Sequence, residues 1–159
     1  WKPMSVPRNI KSANNLIAHI KGGKKFGRYK VSPKEARTHD GIVFDSKWEA
    51  ETFKLLTLLL PTGVIIHKQV SFLPQEKFKA TNGKAVREIN YLADFVITRE
   101  SVLKENEIPE DGFVIDSKGH LTDIFKIKNK LFMYKYRTLI HQVKSAKDVA
   151  AVVELYKAQ

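Results

Sequence analysis

The sequence predicts one core domain of the α/β class, in which helices and strands share a hydrophobic interior. Three stretches, residues 46–60, 122–136 and 145–157, have helix-like apolar spacing behind a capping residue. The segments between them are rich in β-branched and aromatic residues, which is typical of strands. With 159 residues, of which 43% are hydrophobic, the chain is long enough to bury a core.

Positive charge is concentrated near the beginning of the sequence. The formal net charge is +11, and residues 1–40 hold ten Lys or Arg against two acidic residues, a net +8. We interpret residues 1–40 as a basic, partly ordered arm and residues 41–159 as the core domain. Such an arm predicts a polyanion partner, because Lys and Arg neutralise phosphates. A solubilising tail is the alternative interpretation.

Composition also excludes some classes of protein. The longest apolar run, residues 55–60, is far shorter than the roughly 20 residues that a membrane span requires. No signal peptide is visible. The chain has no cysteine, which excludes disulfides and thiolate metal sites and fits a reducing cytoplasm.

The first predicted helix begins at Ser46 and runs to Leu60, and Glu49 falls on its core-facing arc. Ser46-x-x-Glu49 is a capping box, in which the glutamate side chain bonds back to the N-cap amide. A buried carboxylate on a helix can also serve a metal or a reaction. The two interpretations do not exclude each other.

The strands that follow are bounded by turn signals. Residues 64–73 form a predicted strand that Pro74 closes. Asn82-Gly83 predicts a hairpin whose arms are residues 77–80 and 85–98. In the second arm the odd positions from 89 to 97 form one apolar face, and Asn90, Leu92, Asp94 and Val96 form the other. Both faces are therefore predicted to be partly buried, as in a central strand covered by a helix.

Two aspartates interrupt these apolar strands. Asp94 lies in the second arm of the hairpin, and Asp116 ends the next predicted strand, residues 113–117. Lys118 follows Asp116 at i+2 and therefore projects from the same side. Because a buried carboxylate is costly unless a cation or a metal compensates it, these residues predict a divalent-metal site with an ammonium beside it.

The last third of the chain supplies a loop, a helix and a final strand. Residues 99–111 read as a surface loop, Gly119 lets the chain turn, and residues 138–143 form the last strand. The helix over residues 122–136 is predicted to turn an apolar stripe inward, namely Ile124, Ile127, Leu131 and Tyr134. Its cations, Lys126, Lys128, Lys130 and Lys135, form either a nucleic-acid contact or a solvated face.

Taken together, these motifs resemble a nuclease signature. Ala93-Asp94 followed by Asp116-Ser117-Lys118 resembles the PD-(D/E)xK motif with Ala in place of Pro, and Ser46-x-x-Glu49 resembles its upstream helix motif. Residues 40–47, 91–95, 116–119 and 125–132 together look like a phage-encoded nuclease family related to phage endonuclease I and other Holliday-junction resolvases. The resemblance covers roughly residues 24–136.

The resemblance implies a restriction-endonuclease-like core, a mixed central β-sheet flanked by helices, and metal-dependent hydrolysis of DNA in a host cytoplasm. By matched position, Asp94 and Asp116 would bind Mg²⁺ or Mn²⁺ and Glu49 would be a ligand or would position water. Lys118 would orient the attacking water and stabilise developing charge. The sequence departs from the motif where Asp116 replaces a longer Glu and where Ala93 replaces Pro.

Branched or junction DNA is the implied partner. Two cuts are needed to resolve a four-way junction, which suits a homodimer with two active sites. A nucleic-acid-binding protein that keeps the fold without cutting, in recombination, packaging or transcription control, is the rival hypothesis; the complete set of four site residues favours cutting. The predicted DNA-contacting residues are Lys24, Lys25, Arg28, Lys30, Lys126, Lys128 and Lys130.

Overall fold

The computed structural model describes residues 31–118 and 120–159. The predictions for residues 1–30 and for the turn at Gly119 lie outside the described residues, and those for Lys24, Lys25, Arg28 and Lys30 lie there too. The elements run in the order 3-10 turn (Glu35–Arg37), β1 (Thr38–His39), β2 (Ile42–Val43), α1 (Lys47–Leu59), β3 (Ile65–Gln75), β4 (Phe78–Lys79), β5 (Ala85–Val86), β6 (Ile89–Thr98), β7 (Phe113–Asp116), α2 (Asp123–Tyr136), β8 (Ile140–Gln142) and α3 (Ala146–Lys157).

The central sheet has four strands in the order β3-β6-β7-β8. The β3/β6 and β6/β7 pairs are antiparallel, and the β7/β8 pair is parallel. Helix α2 makes the crossover that a parallel connection requires. The predicted class, a mixed α/β fold with a mixed sheet flanked by helices, is therefore confirmed. No helix within residues 31–118 and 120–159 has the length and apolar character to cross a membrane.

The three helices found in residues 31–118 and 120–159 begin at the residues that the sequence predicts. Ser46, Thr122 and Ser145 are the N-caps, and each side-chain hydroxyl accepts a hydrogen bond from the backbone N–H three residues later. These bonds satisfy amides that have no partner within the helix. The local sequence signals therefore place α1, α2 and α3 correctly.

Helices cover both faces of the sheet and form two hydrophobic cores. The first core joins α1 and α3 to the sheet and includes Leu56 and Val153. The second joins α2 to the sheet through Phe125 and Phe132. We call them the α1/α3 core and the α2 core.

Strand β6 exchanges its two faces part of the way along. Tyr91 and Ala93 belong to the α2 core, whereas Phe95 and Ile97 belong to the α1/α3 core. A regular strand would place all four on one face, because side chains alternate with a period of two. The predicted single apolar face of odd positions from 89 to 97 is therefore wrong. The exchange occurs at Asp94.

Strand β3 exchanges its faces at the matching position. Val70 and Phe72 pack in the α2 core, whereas Ile66 packs against the α1/α3 core. Between them Gln69 has a φ of 52°, in the left-handed region that residues other than glycine seldom adopt. The altered backbone at this position lets one strand serve both cores.

The ends of the hairpin strands differ from the prediction. Pro74 does not close β3, which continues to Gln75 through a register irregularity. Such a bulge tolerates a proline, which has no N–H to donate. The turn at Asn82-Gly83 is confirmed, and Gly83 has a φ of 80°. Its second arm is only β5, since β6 pairs with β3 instead.

The predicted inner stripe of α2 is wrong at three of its four residues, and Leu131 is half-buried. Ile124, Ile127 and Tyr134 are 69%, 58% and 71% exposed, and Phe125 and Phe132 are buried instead. Aromatic rings decide this orientation, because Phe132 lies edge-on to rings from β3 and β6 and buries more apolar area than an isoleucine does. A helical-wheel analysis that gives every apolar residue the same weight does not account for the larger apolar area of the aromatic rings.

Candidate active site

Three neighbouring strands bring polar side chains into one row across the sheet. Lys68 pairs with Phe95 and Val70 with Ala93, so Gln69 lies opposite Asp94. By the same reasoning the β6/β7 register puts Asp94 opposite Asp116. The row therefore crosses the sheet where β3 and β6 exchange faces.

Asp116 is fully buried and is held through one oxygen. Its Oδ2 accepts hydrogen bonds from the Tyr91 hydroxyl and from the Lys118 ammonium, each at 2.9 Å. Its Oδ1 is buried and accepts no hydrogen bond from the described residues. Burial, followed by repulsion from Asp94, raises the pKa of Asp116, although the bonds from Lys118 and Tyr91 oppose that shift.

Lys118 is fixed between a carboxylate and an aromatic ring. Its ammonium lies 2.9 Å from Asp116 Oδ2 and 4.9 Å from the ring centroid of Phe125, at a distance suited to a cation–π contact. The side chain is still 44% exposed. An ammonium has three N–H donors, so Lys118 can bind Asp116 and also reach a group on the solvent side.

Asp94 is oriented by Ser117. The Ser117 backbone N–H and hydroxyl both donate to Asp94 Oδ2, each at 2.7 Å. Short bonds to an ionised carboxylate are among the stronger hydrogen bonds in proteins. Because both bonds fall on one oxygen, they fix the carboxylate plane and leave Oδ1 to other partners.

Glu49 brings a third carboxylate from the first turn of α1. It is 4% exposed, and its Oε1 accepts a hydrogen bond of 2.8 Å from the Gln69 side chain. Burial, and next the repulsion from Asp94, raise the pKa of Glu49. The hydrogen bond from Gln69, which lies opposite Asp94, places Glu49 at the same site.

The capping box at the start of α1 is formed only in part. The Ser46 hydroxyl accepts from the Glu49 N–H at 3.0 Å, as the prediction requires. Glu49 Oε2, however, accepts from the N–H of Asp45 at 3.1 Å, one residue before the N-cap. This displaced bond and the bond from Gln69 together fix both oxygens of Glu49.

Sequence reasoning missed Gln69, Tyr91 and Ser117 as parts of the site. A glutamine in an exposed strand position is ordinary, so nothing local marked Gln69 out. Ser117 lies inside the Asp116-Ser117-Lys118 motif, but its bond runs to a residue 23 positions earlier. From the sequence, Tyr91 could be recognised only as an apolar residue of the core.

The predicted DNA-contacting cations of α2 are spread around the helix. Lys126 and Lys130 are exposed, and Lys128 is half-buried. The Lys126 ammonium lies 2.9 Å from Asp123, an exposed pair that solvent screens. Lys126 and Lys130 therefore present positive charge to solvent.

The residues at the site fit a magnesium ion with few protein ligands. Within the described ranges no group of three or more His, Asp or Glu side chains lies close enough to hold a metal. Mg²⁺ nevertheless often takes only one or two carboxylates and keeps several waters or phosphate oxygens. The buried Oδ1 of Asp116 accepts no hydrogen bond from the described residues and needs a partner. Asp94 lies on the neighbouring strand β6, where the register continues one position beyond the Phe95–Ile115 pair to place it opposite Asp116.

The fold and the site define a mixed α/β protein with one buried and one half-buried carboxylate on its central sheet. The chain belongs to the family described as a protein of unknown function (DUF1064), whose model matches residues 28–149. This range contains Glu49, Asp94, Asp116 and Lys118. Searches with the chain found no matching curated protein and no matching solved structure.

Proposed function

We propose that this protein is a metal-dependent DNA endonuclease that hydrolyses phosphodiester bonds in branched DNA. One observation carries the proposal: Asp116 is fully buried, binds Lys118 through one oxygen, and has a second oxygen without a donor among the described residues. A purely structural ion pair would gain by satisfying both oxygens, because an unpaired buried acceptor costs free energy.

Asp94 and Asp116 are the residues that would hold a Mg²⁺ or Mn²⁺ ion, which, when bound, polarises a phosphate oxygen and activates a water. Ser117 holds the Asp94 carboxylate in one plane. Tyr91 and Lys118 do the same for Asp116. Such fixed ligands need little reorganisation when substrate binds, which favours catalysis.

Glu49 is suited to positioning the attacking water or accepting its proton. Burial keeps the carboxylate out of bulk solvent and raises its pKa toward the range of a useful base. Gln69 and the Asp45 amide hold its two oxygens in place. Lys118, which is partly exposed, provides a positive charge for the phosphate as negative charge develops there.

The preference for branched DNA is supported by the resemblance to junction resolvases. The exposed cations Lys126 and Lys130 add to it a surface for phosphates. A protein that binds nucleic acid without cutting is the second candidate. It is favoured by one observation, the lack of a three-ligand metal group among the described residues.

Cleavage assays with matched variants separate the two candidates. End-labelled linear, flapped and four-way DNA would be incubated with the protein in Mg²⁺, Mn²⁺ or EDTA. We expect cutting of the branched forms in Mg²⁺ or Mn²⁺ only, lost in Asp116→Asn and kept in Asp123→Asn, which changes an exposed carboxylate. Tight binding of all forms without any cutting would overturn the proposal in favour of the binding protein.

A further inference from the structure

We propose that the hairpin formed by β4 and β5 is a DNA-binding ribbon, which grips the phosphate backbone of the duplex beside the cut. This inference rests on the proposed function, because it assigns a substrate-binding surface to the same site. The hairpin comprises residues 76–88, and most of its side chains are exposed. A two-stranded ribbon is also slender enough to enter a groove of B-DNA.

The register of the hairpin opposes two cations. Gln75 pairs with Ile89 and Phe78 pairs with Val86, and the same register puts Lys77 opposite Arg87. Like charges opposite each other destabilise an isolated pair of strands. A polyanion bound between them would remove that cost.

Charge also separates between the two faces of the hairpin. Within the two strands, Lys79 lies on one face and the paired Phe78 and Val86 lie on the other. Lys77 and Arg87 flank the strands, at positions where continued alternation puts them on the face of Lys79. Three cations on one side of a thin ribbon form a row that matches a row of phosphates. We call Lys77, Lys79 and Arg87 the ribbon cations.

The ribbon cations form no ion pair with residues 31–118 or 120–159. None of them has a carboxylate oxygen of these residues within 4 Å of its charged nitrogen. Glu76, which could have served, lies 3.5 Å from the ammonium of Lys135 on α2 instead. The charge of the ribbon cations is therefore left for an external anion.

The position of the hairpin links it to the candidate active site. Arg87 precedes Asp94 by seven residues, and β5 leads directly into β6, the strand that carries Asp94. At about 3.3 Å per residue, Arg87 lies no more than about 23 Å from Asp94 along the strand. That distance corresponds to about seven base pairs of B-DNA at roughly 3.4 Å each.

The test compares two triple variants of the full chain. One variant is Lys77→Gln, Lys79→Gln and Arg87→Gln. The control is Lys54→Gln, Lys144→Gln and Lys147→Gln, which removes the same charge from exposed positions on and beside α1 and α3. Binding of four-way DNA would be measured in Ca²⁺ at several salt concentrations, and cleavage in Mg²⁺.

We expect the ribbon variant to bind about ten-fold or more weakly at 0.1 M salt, with a slope of log K against log salt smaller by about 2 to 3. The control variant should change neither the affinity nor the slope nearly as much. The loss should be complete on junctions whose duplex arms are at least about seven base pairs long, because that length covers the largest separation of Arg87 from Asp94.

The outcomes separate failure of the ribbon from failure of the nuclease. Equal losses in the two variants, or none in either, would overturn the ribbon even if the native protein cuts DNA. A ribbon-specific loss of binding by a native protein that never cuts would support the ribbon and reject the nuclease. Thermal unfolding of both variants would show that they remain folded, as expected for exposed side chains.

Discussion

Gln69 lies opposite Asp94 in the β3/β6 ladder and donates a 2.8 Å hydrogen bond to Glu49 from a left-handed backbone conformation. The residue thus links the central strand to the first turn of α1. A left-handed conformation costs a non-glycine residue about 1–2 kcal/mol, and such strain is often found at functional sites.

Substitution of Gln69 should separate stability from activity. Gln69→Gly and Gln69→Ala both remove the bond to Glu49, so we expect each to lower kcat at least about ten-fold with little change in KM. Glycine tolerates the backbone, so Gln69→Gly should be about 1 kcal/mol more stable than Gln69→Ala in urea denaturation. Gln75→Ala, later on the same strand, is the control; equal stability of the two Gln69 variants would show that no strain is stored there.

Lys118→Ala should affect both catalysis and stability. We expect cleavage to fall about 100-fold or more, because the ammonium stabilises developing charge, while affinity for branched DNA stays within a few-fold. The free energy of unfolding should fall by about 1–2 kcal/mol, less than for a fully buried pair because Lys118 is partly exposed.

A double-mutant cycle tests the origin of that destabilisation. In an Asp116→Asn background, Lys118→Ala should cost little stability, since no buried carboxylate is left unpaired. Lys126→Ala, which breaks the exposed pair with Asp123, should be nearly neutral in either background. A Lys118 effect of the same size in both backgrounds would reject the assigned ion pair.

Metal binding should stabilise the native fold. We expect the melting temperature to rise with Mg²⁺, Mn²⁺ or Ca²⁺, by the equivalent of about 2.7 kcal/mol at a hundred-fold excess over Kd, with Ca²⁺ failing to support cleavage. Asp94→Asn should lose the shift and Asp123→Asn should keep it. Calorimetric titration would check the affinities, and equal metal affinity of the native chain and Asp94→Asn would remove Asp94 from the site.

Asp111, a carboxylate outside the candidate site, should control stability at low pH. Asp111 accepts hydrogen bonds from Thr98, from the Arg99 amide and from Tyr156. Partial burial raises the pKa of Asp111, but these bonds outweigh burial and lower it overall. A depressed pKa stabilises the fold above the unfolded value near 4, and this stability is lost as pH falls through the lower native value.

The pH dependence can be measured with one variant. Asp111→Asn should lose about 2 kcal/mol at neutral pH and show a flatter decline of the urea midpoint below pH 4. At the alkaline end, burial and the bond to Asp111 raise the pKa of Tyr156 to about 12. The corresponding stability is present below pH 10 and fades as pH rises through about 12. If the urea midpoint of Asp111→Asn declines below pH 4 as steeply as that of the native chain, the role assigned to Asp111 is contradicted.

Local signals predicted much of this fold. The caps Ser46, Thr122 and Ser145 fixed three helix starts, because a hydroxyl at an N-cap acts on its own helix alone. The turn at Asn82-Gly83 could also be predicted, because its signal is local in the sequence. The orientation of α2 could not be predicted, because it depends on aromatic contacts with β3 and β6, which are distant in sequence.

The charged residues of the candidate site could be recognised from the sequence, whereas its neutral residues could not. A carboxylate in an apolar strand stands out because its burial must be compensated, which drew attention to Asp94 and Asp116. Gln69 and Ser117 carry no such penalty, and their roles come from hydrogen bonds to residues at least 20 positions away. Only a structure brings those partners together.

The exchange of faces at Asp94 has a consequence for related chains. Before and after Asp94, the apolar side chains of β6 alternate out of step by one residue, because they face different cores. The paired strand β3 must make the same change at the matching residue, Gln69. In other members of the family the apolar alternation should therefore shift by one position at the equivalents of Asp94 and Gln69. An alignment that inserts a gap there to restore even alternation would move the aspartate out of line with its counterparts.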